Sequence, residues 1–407
     1  MSDSDSIRER AQRVIVGTYN RFGPVLVEGS GCRLRDAEGR EYLDFVAGIA
    51  VCSLGHAHPE LARVLAEQSR RLWHVSNLYY TLPQVELAEA LTAACFASRV
   101  FFCNSGAEAN EAAIKLARRY SLTTHSNPER YHIVCMDNSF HGRTLATVAA
   151  TGQRKVREGF GPLCPGFSFV PFGDLAALKR AVGESTCAVM LEPVQGNGGV
   201  LLPPDGYLKD VRALCDERGL LLIFDEVQVG LGRTGRLFCH EHFGVSPDVM
   251  TLAKALGGGL PIGAMLCTEE AAQGLPAGSH ASTFGGTPIV CAVARKALEI
   301  ISAPAFLAQV REAGGHLLTR LKGLKQRHPA AVADVRGLGL ICGLELAQPK
   351  ARRLMELALA EGLLIDVATE RVVRLVPPLI AGRAEIDALI QGLDRALPEL
   401  MRETTWE

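Results

Sequence analysis

Five consecutive apolar residues, Leu220 to Phe224, follow Gly219 and run into two carboxylates, Asp225 and Glu226. A short apolar run bounded by glycine and charge has the form of a strand buried on both faces. The pattern recurs at Val100–Cys103, His132–Met136, Ala188–Leu191 and Val249–Leu252, with helix-length amphipathic stretches among them. From about Leu87 to Ala297 this alternation predicts an α/β fold with a mainly parallel sheet. Upstream, residues 7–16 read as a short amphipathic helix, and Cys32 to Phe45 alternates around a turn at Asp36–Gly39, as a hairpin does. Gly48 to Pro59 reads as a loop, with Pro59 opening a helix through Arg71. Beyond Ala303 the pattern becomes a long helix, the run Gly337–Leu346, another helix, and Val372–Pro378, which predicts a smaller α+β domain. The N-terminal hairpin is expected to join it, because the termini of one domain often lie together. The expected division is 1–60 as the N-terminal segment of the small domain, 61–302 as the large α/β domain, and 303–407 as the C-terminal small domain.

Composition narrows this picture only slightly. The 407 residues exceed the ~250–300 at which a single core stops growing, consistent with two domains. Hydrophobic residues at 48% and charged ones at 21% are ordinary for a globular chain. A net charge of −1 argues against nucleic acid or an anionic membrane as partner. No apolar run is long enough for a membrane span. Met1 to Ser6 is acidic and polar, so a frayed tail is expected rather than a signal peptide, and the cytoplasm is the expected location. The twelve cysteines are scattered and form no CxxC, so they are expected to be small buried hydrophobes rather than metal ligands or disulfides. His240-Glu241-His242 has no further ligand cluster beside it; it is read as surface, and no metal is expected.

The candidate chemistry lies where apolar runs end. Asp225 closes the Leu220–Phe224 run, and Lys254 follows Val249–Leu252, ahead of Gly257–Gly259. Open α/β sheets bind ligands at the carboxyl ends of their strands. A lysine and an aspartate so placed suit pyridoxal phosphate, the lysine holding it as a Schiff base and the aspartate keeping the pyridine nitrogen protonated. A strand ending in Asp-Glu also occurs in P-loop ATPases, but the required GxxxxGK[ST] is absent. Gly230 to Gly235 matches GxGxxG, yet neither an apolar helix nor a suitably spaced acid follows it. Spacing alone leaves the Asp225/Lys254 pair open to chance. Ser105-Gly106-Ala107-Glu108 has capping-box spacing, and its small residues suit either an ordinary helix cap or a phosphate site. Phe140 could stack on a planar ring and Arg143 could hold a carboxylate, although core packing and a surface ion pair would explain each by itself. Glu192 to Gly199 and Ser282-Thr283 add polar clusters. Their joint occurrence at successive strand ends favours one site.

These segments together resemble the class III aminotransferases of the fold type I pyridoxal-phosphate enzymes, most of all those acting on acetylornithine. The most specific pieces are NSGAEANEAAIK (104–115), FHGRT (140–144), DEVQVGLGRTG (225–235), AKALGGGLPIGA (253–264) and STFGG (282–286). The resemblance implies that Lys254 carries pyridoxal 5'-phosphate and Asp225 partners its ring nitrogen. It further implies that Ser105, Gly106, Ala107 and His141 help bind the cofactor, Phe140 and Val227 flank its ring, and Gln228 approaches its phenolic oxygen. Thr283 would come from the other subunit of a homodimer with shared active sites. Arg143, Ser282 and Tyr19 would meet the substrate, and Arg374 would hold the α-carboxylate of glutamate or 2-oxoglutarate. The implied reaction is ping-pong transfer of the side-chain amino group of N2-acetylornithine to 2-oxoglutarate, in arginine biosynthesis. Succinylornithine, ornithine or another ω-amino acid is the alternative donor. A glutamate-1-semialdehyde-type aminomutase and a non-catalytic binding protein on the same fold are more distant readings. The chain departs from the family at Cys52 and Thr287, where Asn is usual, at Ala281, where Gly is usual, and at Asn197, where Glu is usual. With Asn197 uncharged, Arg374 is expected to be unpaired, favouring carboxylate substrates over ω-amines.

Overall fold

The computed structural model describes residues 3–21 and 23–402. Its central sheet runs in the order Arg99–Cys103, Gly263–Cys267, Val249–Leu252, Leu221–Asp225, Thr186–Leu191, His132–Met136, Phe167–Val170. All neighbours are parallel except Gly263–Cys267, which is antiparallel to both of its partners. The carboxyl ends of the other strands therefore share one edge, where Asn104, Asp137, Glu192, Asp225 and Ala253-Lys254 begin their loops.

Leu221–Asp225 is buried along its whole length. Its period-two alternation serves two helices. Leu221 and Ile223 pack with Ala112, Ala113 and Leu116 of helix Gly106–His125, while Leu222 and Phe224 pack with Val211, Leu214 and Cys215 of helix Tyr207–Arg218. A strand covered on both faces needs an unbroken apolar run, which is what made it visible in the sequence.

A second, antiparallel sheet holds Val332–Leu338, Ile341–Leu346, Val372–Leu375 and Asp366–Val367, in that order. Helices Pro304–Arg327, Ala351–Ala360 and Arg383–Arg402 contribute to its apolar cluster. Cys32, Leu43 and Phe45 from the N-terminal segment enter the same cluster. Leu363–Leu364 also pairs in parallel with Glu41–Asp44, the second arm of the Arg33–Asp36/Glu41–Asp44 hairpin.

Several local expectations shift. The first helix is Asp3–Val14, so residues 3–6 are helical rather than frayed; Met1 and Ser2 of the expected tail lie outside the described residues. The helix that follows the capping motif at Ser105 is Gly106–His125, with Ser105 as its N-cap. His240 is not at the surface. It is buried, and its Nδ1 lies 2.8 Å from Glu226 Oε1, while Glu226 also accepts the amides of Cys239 (2.6 Å) and His240 (2.8 Å). The second strand-end carboxylate therefore orders the Cys239–His242 turn. All twelve cysteines are free, with Cys52, Cys95 and Cys164 half-buried and the others buried. Among the described residues no helix is long and apolar enough to cross a membrane, and no three His, Cys, Asp or Glu side chains cluster to hold a metal.

The GxGxxG-like stretch is a packing joint. A Cβ on Gly235 (φ +87°) would lie 2.5 Å from Arg311 Cγ, and one on Gly232 (φ +83°) 2.8 Å from Ile301 Cγ2. Between them Arg233 is enclosed and ties three parts of the chain together. Its Nη1 donates to the carbonyls of Leu340 (2.9 Å) and Pro377 (2.6 Å), and its Nη2 to Ser53 Oγ (3.3 Å). Burial pushes its pKa down, to about 9, which still leaves it charged at neutral pH.

Arg233→Ala should leave these acceptors unpaired around a new cavity and cost on the order of 3 kcal/mol. Denaturant unfolding should show a lower midpoint. An unchanged midpoint would show that the joint does not depend on this side chain.

Candidate active site

One cavity of about 460 Å³ opens at the shared strand edge. Asn104, Ser105, Gly106, Ala107, Phe140, His141, Arg143, Asn197, Asp225, Val227, Gln228 and Lys254 all line it. Asp225 is the last residue of its strand and the others lie in the segments that follow parallel strands, so the parallel register gathers them.

Asp225 sits almost wholly buried and is held from three directions. Asn110 Nδ2 donates to its Oδ2 at 2.8 Å, His141 Nδ1 lies 2.8 Å from the same oxygen, and the Val227 amide donates to Oδ1 at 3.0 Å. Because a carboxylate accepts, His141 Nδ1 carries the proton; its Nε2 is buried with no hydrogen-bond partner among the described residues. Asn110 is itself oriented by Thr251 Oγ1, which donates to Asn110 Oδ1 at 2.7 Å, while its Nδ2 also reaches the His141 carbonyl at 2.8 Å. Asn110 and Thr251 were not recognised from the sequence. Asn110 lies one helical turn past Gly106, facing the sheet, and that periodicity was the available signal.

Lys254 begins the turn Lys254–Gly257 with φ +46°, a left-handed conformation that costs a non-glycine residue about 1–3 kcal/mol. It keeps part of its surface open to the cavity. Desolvation, then the charge of Arg374, pushes its pKa down from 10.5 to about 8; Asp225, Glu192 and Asp366 pull the other way. Glu192 lines the same cavity, and desolvation followed by repulsion from Asp225 raises its carboxyl to about 7. Glu192 accepts from the amides of Phe140 (3.0 Å) and Gly196 (3.1 Å), which positions the Phe140 loop over the cavity.

At the opposite wall, helix Gly106–His125 points its first turn inward. Ser105 Oγ accepts from the Glu108 amide at 3.1 Å, whereas Glu108 reaches back to the Asn104 amide rather than to that of Ser105. The amides of Gly106 and Ala107 are left without intrahelical acceptors at the positive end of the helix dipole. A Cβ on Gly106 would stand 2.7 Å from Val227 Cγ1, so only glycine lets the helix start approach so closely. Phe140 is half-buried, and the exposed Arg143 places its guanidinium 5.6 Å from the Phe140 ring centroid.

Arg374 is buried just behind this lining and donates through Nη1 to Gln228 Oε1 at 3.0 Å and to Asn197 Oδ1. It is not unpaired. Asp366 Oδ2 accepts from its Nε at 3.1 Å and from Nη2. The sequence expectation of an isolated guanidinium is therefore overturned, and Asp366 supplies the carboxylate. Ser282 reaches the site indirectly, its Oγ accepting from Asn104 Nδ2 at 3.2 Å. Thr283 is exposed in an adjoining groove, and Tyr19 is exposed with Arg21 over its ring, so a single chain brings neither to the cavity.

The donor set fits pyridoxal 5'-phosphate: an aldehyde-reactive amine of lowered pKa, a buried carboxylate for a protonated ring nitrogen, apolar side chains for the ring, and a helix start for a phosphate. In the apoprotein, modification of Lys254 by an amine-selective reagent should rise through pH about 8, as the ammonium gives up its proton. Mass spectrometry across a pH series would follow this. A midpoint near roughly 10, that of a solvated lysine, would show that the cavity does not desolvate it.

Comparison with known proteins agrees with this geometry. Residues 17–397 match the model of the family described as aminotransferase class-III. The acetylornithine aminotransferase of Gloeobacter violaceus is 50% identical over 396 residues, covering 97% of this chain and 98% of that protein. The succinylornithine transaminase/acetylornithine aminotransferase of Pseudomonas aeruginosa is 47% identical over 399 residues, covering 97% and 98%. A crystallised ornithine aminotransferase of Toxoplasma gondii, reported with partial occupancy of PLP at its active site, superposes with a TM-score of 0.93. It is 30% identical, covering 98% of this chain and 96% of that one. A full-length fold match and a family match over nearly the whole sequence thus meet a cavity built for this cofactor, and the chain belongs to the class III aminotransferases, fold type I enzymes that work with pyridoxal 5'-phosphate.

Proposed function

We propose that the protein transfers the side-chain amino group of N2-acetylornithine to 2-oxoglutarate by alternating half-reactions, in arginine biosynthesis in the cytoplasm. The single observation that carries the reading is the placement of Lys254 and Asp225 at neighbouring strand ends in one cavity. The substrate rests on the names carried by relatives about half identical over nearly their full lengths. Succinylornithine is the second donor to try, because the Pseudomonas relative bears both names.

Bound at Lys254, the cofactor supplies an electron sink for the pair left when a proton departs the carbon bearing the amine. The chain's own residues do the rest. As a free amine, Lys254 is the base placed to take that proton, which its lowered pKa permits near neutrality. Asp225, held in place by Asn110, His141 and the Val227 amide, stands where it would oppose a positive charge on the ring nitrogen. The Gly106 and Ala107 amides hold the phosphate, with Ser105 fixing that helix start. Phe140 and Val227 exclude water from the ring faces. Arg143 offers its planar fork to the α-carboxylate of the donor, near Ser282, and Arg374 to that of the acceptor.

The expected domain division is 1–60 with 303–407 against 61–302, and the support for it is the shared cluster of Cys32, Leu43 and Phe45 with the C-terminal core. A homodimer is part of the proposal. Trp73, Leu78, Tyr79, Tyr80, Leu82 and Phe284 are exposed, Tyr80 almost completely. Leu78 and Tyr80 share a groove with Ser282 and Thr283, and so extended an apolar surface fits a second copy of the chain. Tyr19 and Thr283 would reach a cavity only through such an assembly.

Purified holoenzyme should convert acetylornithine to its semialdehyde only when 2-oxoglutarate is present, with one glutamate formed from the oxoacid for each semialdehyde. Lys254→Ala should abolish turnover, and Asp225→Ala should slow single-turnover proton removal by on the order of 10²-fold. Turnover without the oxoacid would point instead to an isomerase. Sedimentation should find at least a dimer at assay concentrations, and a fully active monomer would refute the shared-site arrangement.

A further inference from the structure

We propose that Asp366 sets the balance between amine and carboxylate substrates, by neutralising Arg374 from the adjacent strand in place of the uncharged Asn197. The inference rests on the transamination reading and deepens it. Asp366 and Arg374 are direct register partners in the antiparallel pair Asp366–Val367 with Val372–Leu375. The side chains meet through both Nε and Nη2 of Arg374, while Asn197 and Gln228 share Nη1. Every arm of this guanidinium therefore has a partner, and only one partner carries charge.

The geometry separates the substrates. A donor that brings an ω-ammonium into the cavity meets a neutral ion pair rather than a bare cation. An acceptor that brings an extra carboxylate must share Arg374 with Asp366, displacing the amide oxygens of Asn197 and Gln228 from Nη1. Asp366 is half-buried and held by a strand pair, so it offers a fixed counter-charge rather than one on a mobile loop. The electrostatic reach extends to Lys254, since Arg374 and Asp366 act on its amine in opposite directions. The balance accordingly tilts toward the ω-amine, opposite to the expectation from Asn197 alone.

Asp366→Asn preserves shape and removes the charge. In holoenzyme, single-turnover kcat/KM should fall about tenfold for acetylornithine, mainly through KM, and rise or hold for glutamate. Adding Asn197→Glu to Asp366→Asn should restore the amine half-reaction. In the apoprotein, the pH midpoint of Lys254 modification should drop below that of the unaltered chain, because a negative charge has gone. Equal losses for both substrates with no rescue would mean a merely structural pair and would overturn the proposal, as would unchanged ratios or an unmoved Lys254 midpoint. If acetylornithine is inert while another ω-amine reacts, the substrate reading fails. The same ratio measured with that amine still decides the role of Asp366.

Discussion

A buried carboxylate at the end of a strand covered on both faces is the constraint around which the rest is arranged. Left without partners in such a place, a carboxylate is costly to bury. Three donors from three different segments converge on Asp225: Asn110 from a helix, His141 from a loop, and its own turn at Val227. The helix and the loop are therefore fixed to each other through Asp225. This also fixes two walls of the cavity, Gly106 on the helix and Phe140 beside His141. The helix start is further pressed against Val227, where Gly106 leaves no room for a side chain. Structural and chemical demands on this carboxylate coincide.

The positive side of the cavity is balanced by the same logic. Arg374 weakens the hold of Lys254 on its proton, and Asp225, Glu192 and Asp366 strengthen it. Burial near a guanidinium keeps the lysine close to neutrality in its proton equilibrium, which a base in a half-reaction requires. Placing Asp366 directly across from Arg374 prevents that depression from becoming extreme. Charge pairs thus serve reactivity here more than stability, since buried ion pairs contribute little net folding energy.

A different buried cation, Arg233, has no carboxylate partner among the described residues. Its partners are two carbonyls and a hydroxyl from three regions of the chain, so it fastens the large sheet to both terminal segments. Arg374, which stands behind the cavity lining, belongs to the C-terminal sheet that this fastening joins to the large one. The glycines flanking Arg233 mimic a dinucleotide fingerprint because close backbone approach is needed for both purposes.

Periodicity and strand-end chemistry made much of the molecule legible without coordinates. Buried parallel strands require continuous apolar runs, so Leu221–Asp225 and Val249–Leu252 announced themselves, and the residues just past them had to share an edge. The short capping motif at Ser105 and the family resemblance extended this to Lys254, Asp225, Phe140 and Gly106. What sequence could not supply was pairing between segments that no local rule connects. Asn110 and Thr251 reach Asp225 only because a helix lies across two strands, and His240 is buried only because Glu226 turns away from the cavity. The clearest case is Arg374. Its neighbours in sequence and the missing acid at Asn197 suggested a bare charge, yet antiparallel register sets Asp366 opposite it. Local pattern determines which groups stand at strand ends; which charges neutralise one another is decided by register and packing, because electrostatic energy depends on distances through space rather than along the chain.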